Sequence, residues 1–109
     1  MNKHARRPSG LLVPAHVDLG VPRVVHCKRE RHHAYIGRNR KGLPPSLLGN
    51  PFVVGVHGTR EECIAMYKGW APEHEAVMAA IRVLRGLVLG CWCAPRACHG
   101  DVQLRWANE

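Results

Sequence analysis

Short apolar runs bounded by glycine, proline and polar residues predict the strands of this chain. One strand is predicted over residues 21–28 and a second, shorter one over residues 34–38. Residues 87–93, with the sequence LVLGCWC, are apolar throughout, which is typical of a strand buried on both faces. Residues 50–54 predict a turn that leads into a brief extended segment.

Helical periodicity begins after residue 58. Thr59 and Glu62 have the spacing of a capping box, in which each side chain bonds the backbone amide of the other. A helix is therefore predicted to start there and to continue to about Trp70. Its predicted apolar face consists of Cys63, Ile64, Tyr67 and Trp70.

A second helix is predicted from Pro72, which suits a first helical turn, to Arg85, and Gly86 is a typical stop. Its apolar stripe is Val77, Ile81 and Leu84. A last helix is predicted from about Cys98 through Trp106.

This order of strands and helices predicts an α/β protein. We expect a small Rossmann-like layer fold, with a short, mostly parallel sheet flanked by three helices. Residues 21–109 would form one such domain, because 109 residues leave no room for a second core.

Residues 1–20 contain two prolines, two glycines and scattered charge without a sustained period, which predicts a basic, flexible N-terminal arm. The formal net charge is +8, of which residues 1–32 carry +5. Such an excess favours polyanionic partners, so a phosphate-bearing ligand or nucleic acid is expected. A soluble protein with a basic tail accounts for the same charge.

The five cysteines are odd in number, and the first residues, MNKHARRPSG, are not followed by the apolar run of a secretory leader. No stretch approaches the length of a membrane span, so no membrane association is expected. We therefore expect a reducing cytoplasm, where clustered cysteines indicate metal binding or thiol chemistry more often than disulfides.

The segment 91–101, with the sequence CWCAPRACHGD, is the candidate functional site. Alternation along the predicted strand puts Cys91 and Cys93 on one face, and Cys93 near the carboxyl end. Cys98 and His99 would then open the following helix. Ligands of α/β proteins bind beyond the carboxyl ends of the strands, and a helix N-terminus favours an anion.

Two interpretations of this segment stay open. In the first, Cys98 is a thiolate of low pKa, His99 is its acid or base, and Asp101 orients His99, while Arg96 contacts a phosphate. In the second, zinc is bound by three thiols and an imidazole. The ligands would be Cys91, Cys93, Cys98 and His99, although C-x-C is tighter than the usual zinc spacing. No other cofactor is indicated.

Five further stretches can be compared with known families, namely VHCKRE at 25–30, YIGR at 35–38, GNPF at 49–52, TREE at 59–62 with Tyr67, and LGCWCAP through CHGD at 89–101. Together they resemble domain-of-unknown-function family 4326, small proteins of bacteria and their phages. The resemblance covers about residues 21–107. It implies that seven positions match the motif of the family, namely Arg38, Asn50, Cys91, Cys93, Cys98, His99 and Asp101. The end of the run is also similar to domain-of-unknown-function family 488, where this chain has Gly100 instead of arginine.

The resemblance implies no reaction, and whether the protein is an enzyme stays open. The leading hypothesis is binding of a nucleotide, a nucleic-acid end or another phosphate-bearing ligand by Arg38, Asn50, Cys93 and Arg96, beside Cys98 and His99. The alternative is a zinc-stabilised, non-catalytic module that binds nucleic acid or a host protein. If a phage encodes the chain, its location would be the bacterial host cell.

Overall fold

The computed structural model describes residues 10–38 and 47–109. The described residues form three short strands, β1 (Val24–His26), β2 (Ala34–Tyr35) and β3 (Leu89–Cys91). All pairing is parallel, and β3 lies between β1 and β2. The last strand of the chain is therefore the centre of the sheet.

Three helices accompany the sheet, α1 (Arg60–Trp70), α2 (Glu75–Arg82) and α3 (His99–Asn108). A 3₁₀ turn, Ala71–Glu73, joins α1 to α2. The predicted capping box of α1 is confirmed. The amide of Glu62 donates to Thr59 Oγ1 over 3.1 Å, and the amide of Thr59 donates to Glu62 Oε1 over 2.8 Å.

The predicted small α/β fold with three helices and a short parallel sheet is confirmed. Strand β3 is buried at every position, as its apolar sequence predicted. Leu89 and Cys91 belong to the central core cluster, and Leu87 and Cys93 pack against it. The other members of that cluster are Ile36, Tyr67, Ala71, Val77, Ile81, Leu84, Cys98, Val102 and Ala107.

The predicted extended segment at residues 50–54 forms no strand. Its end belongs to a tight loop in which the amides of Val56 and His57 donate to the carbonyl of Val53. Gly55 has a φ of +89° within this loop, a conformation that glycine adopts without strain. The turn at Asn50 is present, because the amide of Phe52 donates to Asn50 Oδ1 over 2.9 Å.

The predicted arm lies partly outside the described residues. Within the described part, Leu12 forms an isolated parallel bridge with His32. A ring nitrogen of His33 lies 2.6 Å from the carbonyl oxygen of Val17. The boundary between arm and domain stays a prediction, as does the single-domain division. No helix of the described residues is long and apolar enough to cross a membrane.

Candidate metal centre and ligand cleft

The succession of a strand, a loop and a helix places the candidate residues together in space. Strand β3 ends at Cys91, residues 92–98 form the loop, and α3 starts at His99. The peptide bond between Ala94 and Pro95 is cis. The predicted placement of the motif between a buried strand and a helix is therefore confirmed, with Cys93 in the loop rather than in the strand.

Cys98 is the N-cap of α3. The amide of Gly100 donates to Cys98 Sγ over 3.3 Å, and the amide of Cys98 donates to Asp101 Oδ2 over 3.0 Å. This is a capping box with a sulfur atom in place of the usual hydroxyl. The carboxylate of Asp101 therefore holds the helix start, and its predicted role in orienting His99 has no hydrogen bond to support it.

The donor atoms of Cys91, Cys98 and His99 form a compact group. All three lie within 4.8 Å of one another, and the residues are buried. The two sulfur atoms are 3.7 Å apart. Two thiolates on one tetrahedral zinc ion are separated by roughly 3.8 Å, given a Zn–S bond of about 2.3 Å. This buried group could hold a metal ion.

His99 is oriented by main-chain oxygens. Its Nε2 lies 2.9 Å from the carbonyl oxygen of Ile36 and 2.8 Å from that of Leu48. Since both partners only accept hydrogen bonds, Nε2 carries the proton and Nδ1 is left with a lone pair. Burial lowers the pKa of His99, which keeps the ring neutral. A neutral imidazole whose second nitrogen donates to a carbonyl is the usual state of a metal ligand.

The thiols of Cys91, Cys93 and Cys98 are hydrogen-bonded to one another, and these bonds shift their pKa values in different directions. Bonding to Cys93 raises the pKa of Cys91 to about 11, and the contacts with Cys91 and Cys93, together with burial, raise that of Cys98. The pKa of Cys93 is lowered, first by hydrogen bonds with the other two thiols and further by Arg60. This direction at Cys98 runs against the predicted thiolate of low pKa, because hydrogen bonds with the other two thiols, together with burial, outweigh the amide of Gly100. The reactive role of Cys98 stays a prediction.

A cleft of about 250 Å³ borders the thiol group. It brings together seven of the eight residues that the sequence singled out, and Asp101 is the exception. The lining residues are Gly37, Arg38, Asn50, Phe52, Val53, Val54, Arg60, Cys63, Ile64, Cys91, Trp92, Cys93, Arg96, Cys98 and His99.

The cleft is cationic. Arg38, Arg60 and Arg96 line it, whereas none of the eight Asp and Glu residues does, and all eight lie in the described part of the chain. The ion pairs among the described residues involve other arginines, namely Arg23, Arg82 and Arg105. An anion entering the cleft would meet positive charge without a competing carboxylate.

Two polar residues of the site were missed by sequence reasoning. Arg60 donates to the carbonyl of Ala97 over 3.3 Å, which joins the start of α1 to the loop before α3. Gln103 is fully buried and donates to the carbonyl of Leu48, the same oxygen that faces His99. Gln103 lies one helical turn after His99, and that spacing is the signal that would have linked them.

Asn50 is positioned by the backbone around it. Besides bonding Phe52 through its oxygen, it donates from Nδ2 to the carbonyl of Cys63 over 3.4 Å. These contacts hold the loop against α1. The predicted contact of Asn50 with a ligand stays a prediction.

The fold and the site define a small α/β protein with a buried Cys/His group beside an arginine-lined cleft. The chain belongs to domain-of-unknown-function family 4326, whose model matches residues 23–109. The resemblance to that family is thereby confirmed, and the similarity to family 488 stays a prediction.

A relative occurs in Enterobacteria phage T4, an uncharacterised 12.4 kDa protein encoded in the nrdA-td intergenic region. It is 39% identical over 56 residues, which are 48% of this chain and 52% of the relative. The chain thus spans about half the length of the curated relative that it matches. No solved structure matches the chain.

Proposed function

We propose that the protein binds a thiophilic divalent metal ion, with zinc the ion expected, through Cys91, Cys98 and His99. The observation that carries this proposal is the spacing of the donor atoms, since the 3.7 Å between the sulfurs matches two thiolates on one zinc ion. The proton on His99 Nε2 supports it, because that proton leaves Nδ1 as the ligand atom.

Metal analysis of the purified protein tests this proposal. We expect about one zinc ion per chain, and loss of the ion in Cys98→Ser and in His99→Ala. Cys63→Ser is the matched control, because Cys63 is equally buried but lies outside the donor group. Retention of zinc by both site variants, or its loss in the control, would contradict the assignment of the ligands.

A second function is favoured by the charge of the cleft. Arg38, Arg60 and Arg96 line one cavity without an acidic neighbour, which favours a phosphate-bearing ligand such as a nucleotide or a nucleic-acid end. The net charge of +8 points to the same class of partner. The combination of metal and cleft fits a metal-containing binding module, and the cytoplasm of a bacterial cell is the location that its reduced cysteines favour.

Retention of single-stranded DNA and RNA at increasing salt tests the nucleic-acid part. The affinity should fall steeply between about 50 and 200 mM salt if several phosphates are contacted. Arg60→Ala and Arg96→Ala should weaken binding, whereas Arg29→Ala, on an exposed residue away from the cleft, serves as the control. An affinity that does not change with salt would exclude phosphate-dominated binding.

A further inference from the structure

The proposed metal position borders the cleft. Cys91, Cys98 and His99 are all buried, yet each also lines the cavity. An ion bound by their donor atoms would therefore be accessible from the cleft. Zinc takes four ligands, and the three residues supply three.

Cys93 is the obvious candidate for the fourth ligand, but its position argues against it. Its thiol contacts those of Cys91 and Cys98, while it stays outside the group whose donor atoms lie within 4.8 Å of one another. Cys93 is also only partly buried, and Arg60 lies against it. The guanidinium gives this thiol a charged partner other than a metal ion.

Charge favours an anion in the fourth position. A divalent ion with two thiolates and a neutral imidazole has no net charge, whereas a third thiolate would make the centre negative. The surrounding Arg38, Arg60 and Arg96 would stabilise an incoming oxyanion. Zinc sites that keep three protein ligands bind water or substrate in the remaining position.

We propose that the fourth coordination position of this centre is open to the cleft and accepts an oxygen of a phosphate group, with Arg60 and Arg96 binding the other oxygens. This inference rests on the proposed metal site. It makes the metal part of the ligand-binding surface, in contrast to a closed structural centre of three cysteines and one histidine. Cys93 then lies beside the bound anion instead of on the metal.

Cobalt substitution tests the inference, because Co²⁺ reports both its thiolate ligands and its geometry in the visible and near-ultraviolet spectrum. The full chain is loaded with Co²⁺ under anaerobic, reducing conditions and titrated with inorganic phosphate. We expect thiolate charge-transfer absorption of equal intensity in the wild type and in Cys93→Ser. Phosphate should change the ligand-field bands of both proteins.

The arginines give an independent readout. Arg60→Ala with Arg96→Ala should weaken the response to phosphate by about tenfold or more, because two charge-assisted contacts are lost. Arg29→Ala should respond like the wild type. Adenosine monophosphate in place of inorganic phosphate shows whether a nucleotide reaches the same position.

The outcomes separate the two proposals. If Cys93→Ser loses one third of the charge-transfer intensity, or if phosphate leaves the spectrum of loaded protein unchanged, the open position is refuted while the metal site stands. If no cobalt spectrum forms in the wild type, the metal site is refuted and this inference with it. Far-ultraviolet circular dichroism confirms that each variant is folded.

Discussion

Gly90 lies in the middle of β3 with the ring of His32 directly against it. A Cβ atom at this position would collide with three atoms of that ring, and His32 is itself fully buried. Alanine at position 90 must therefore displace the ring or the strand. The strand that ends at Cys91 has no room at position 90 for one additional carbon atom.

We expect Gly90→Ala to lower the free energy of unfolding by about 1–3 kcal/mol, the usual cost of overpacking a core. Urea denaturation of the metal-free protein measures it. Gly69→Ala is the matched control with the opposite sign, because Gly69 lies within α1 with open space around its Cα. That control should gain about 0.5–1 kcal/mol, and an unchanged midpoint for Gly90→Ala would contradict the packing argument.

Two buried histidines, His32 and His99, predict that the metal-free protein loses stability in acid. Burial lowers the pKa of both His32 and His99 from 6.5, so the unfolded chain binds more protons than the folded one below that pH. Their contribution to stability is present above pH 6.5 and is lost as the pH falls below it. Urea midpoints between pH 7.5 and 5 should therefore decrease, and His99→Gln should decrease less steeply than the wild type. Equal slopes would show that His99 does not titrate.

Residue identity and local spacing predicted the cysteines and His99 but not their surroundings. From the sequence, Arg60 could be assigned only to the start of a helix. Its contact with Ala97 joins positions 37 residues apart and was therefore not predicted. The hydrogen bonds of His99 with Ile36 and Leu48 join residues that are even farther apart in the sequence. Hydrogen bonds among the three thiols lower the pKa of Cys93 and raise that of Cys98, and these contacts are not visible in the sequence.

At the scale of elements, the helices were predicted better than the strands. Strand β1 was expected over residues 21–28 and covers Val24–His26, and β3 was expected over residues 87–93 and covers Leu89–Cys91. The apolar sequence continues beyond the residues that pair. The end of a strand depends on where backbone pairing with the neighbouring strand stops, and the sequence of the strand alone does not show that position. The first helix was delimited well because a capping box is a local interaction between residues three apart.

The same capping box makes a prediction about α1. Thr59→Ala removes the side-chain oxygen that accepts from the Glu62 amide, which should cost about 1 kcal/mol of unfolding free energy. Thr59→Ser keeps that oxygen and is the matched control. The two variants are compared by urea denaturation, and a loss as large for serine as for alanine would mean that the methyl group, and not the cap, stabilises this end of the helix.

At the scale of the whole molecule, the proposed metal links the sheet to the last helix. Cys91 ends β3, while Cys98 and His99 begin α3, so a bound ion would hold these two elements together. Chelation should therefore lower the thermal midpoint of unfolding. At a free zinc concentration 100 times the dissociation constant, the bound ion would add about 2.7 kcal/mol to the free energy of unfolding, and chelation would remove that contribution. Differential scanning calorimetry with and without chelator measures the shift, and His99→Ala should show none.

The central position of β3 has a consequence for the nascent chain during synthesis. Since β1 and β2 each pair with β3 and not with each other, neither has a sheet neighbour until the ribosome has added residue 91. Residues 24–35 must then remain without their sheet partner while the segment up to residue 91 is being translated. Formation of the sheet and of the thiol group both require residues 89–98, and a chain stalled before residue 91 would expose its apolar segments to chaperones and proteases.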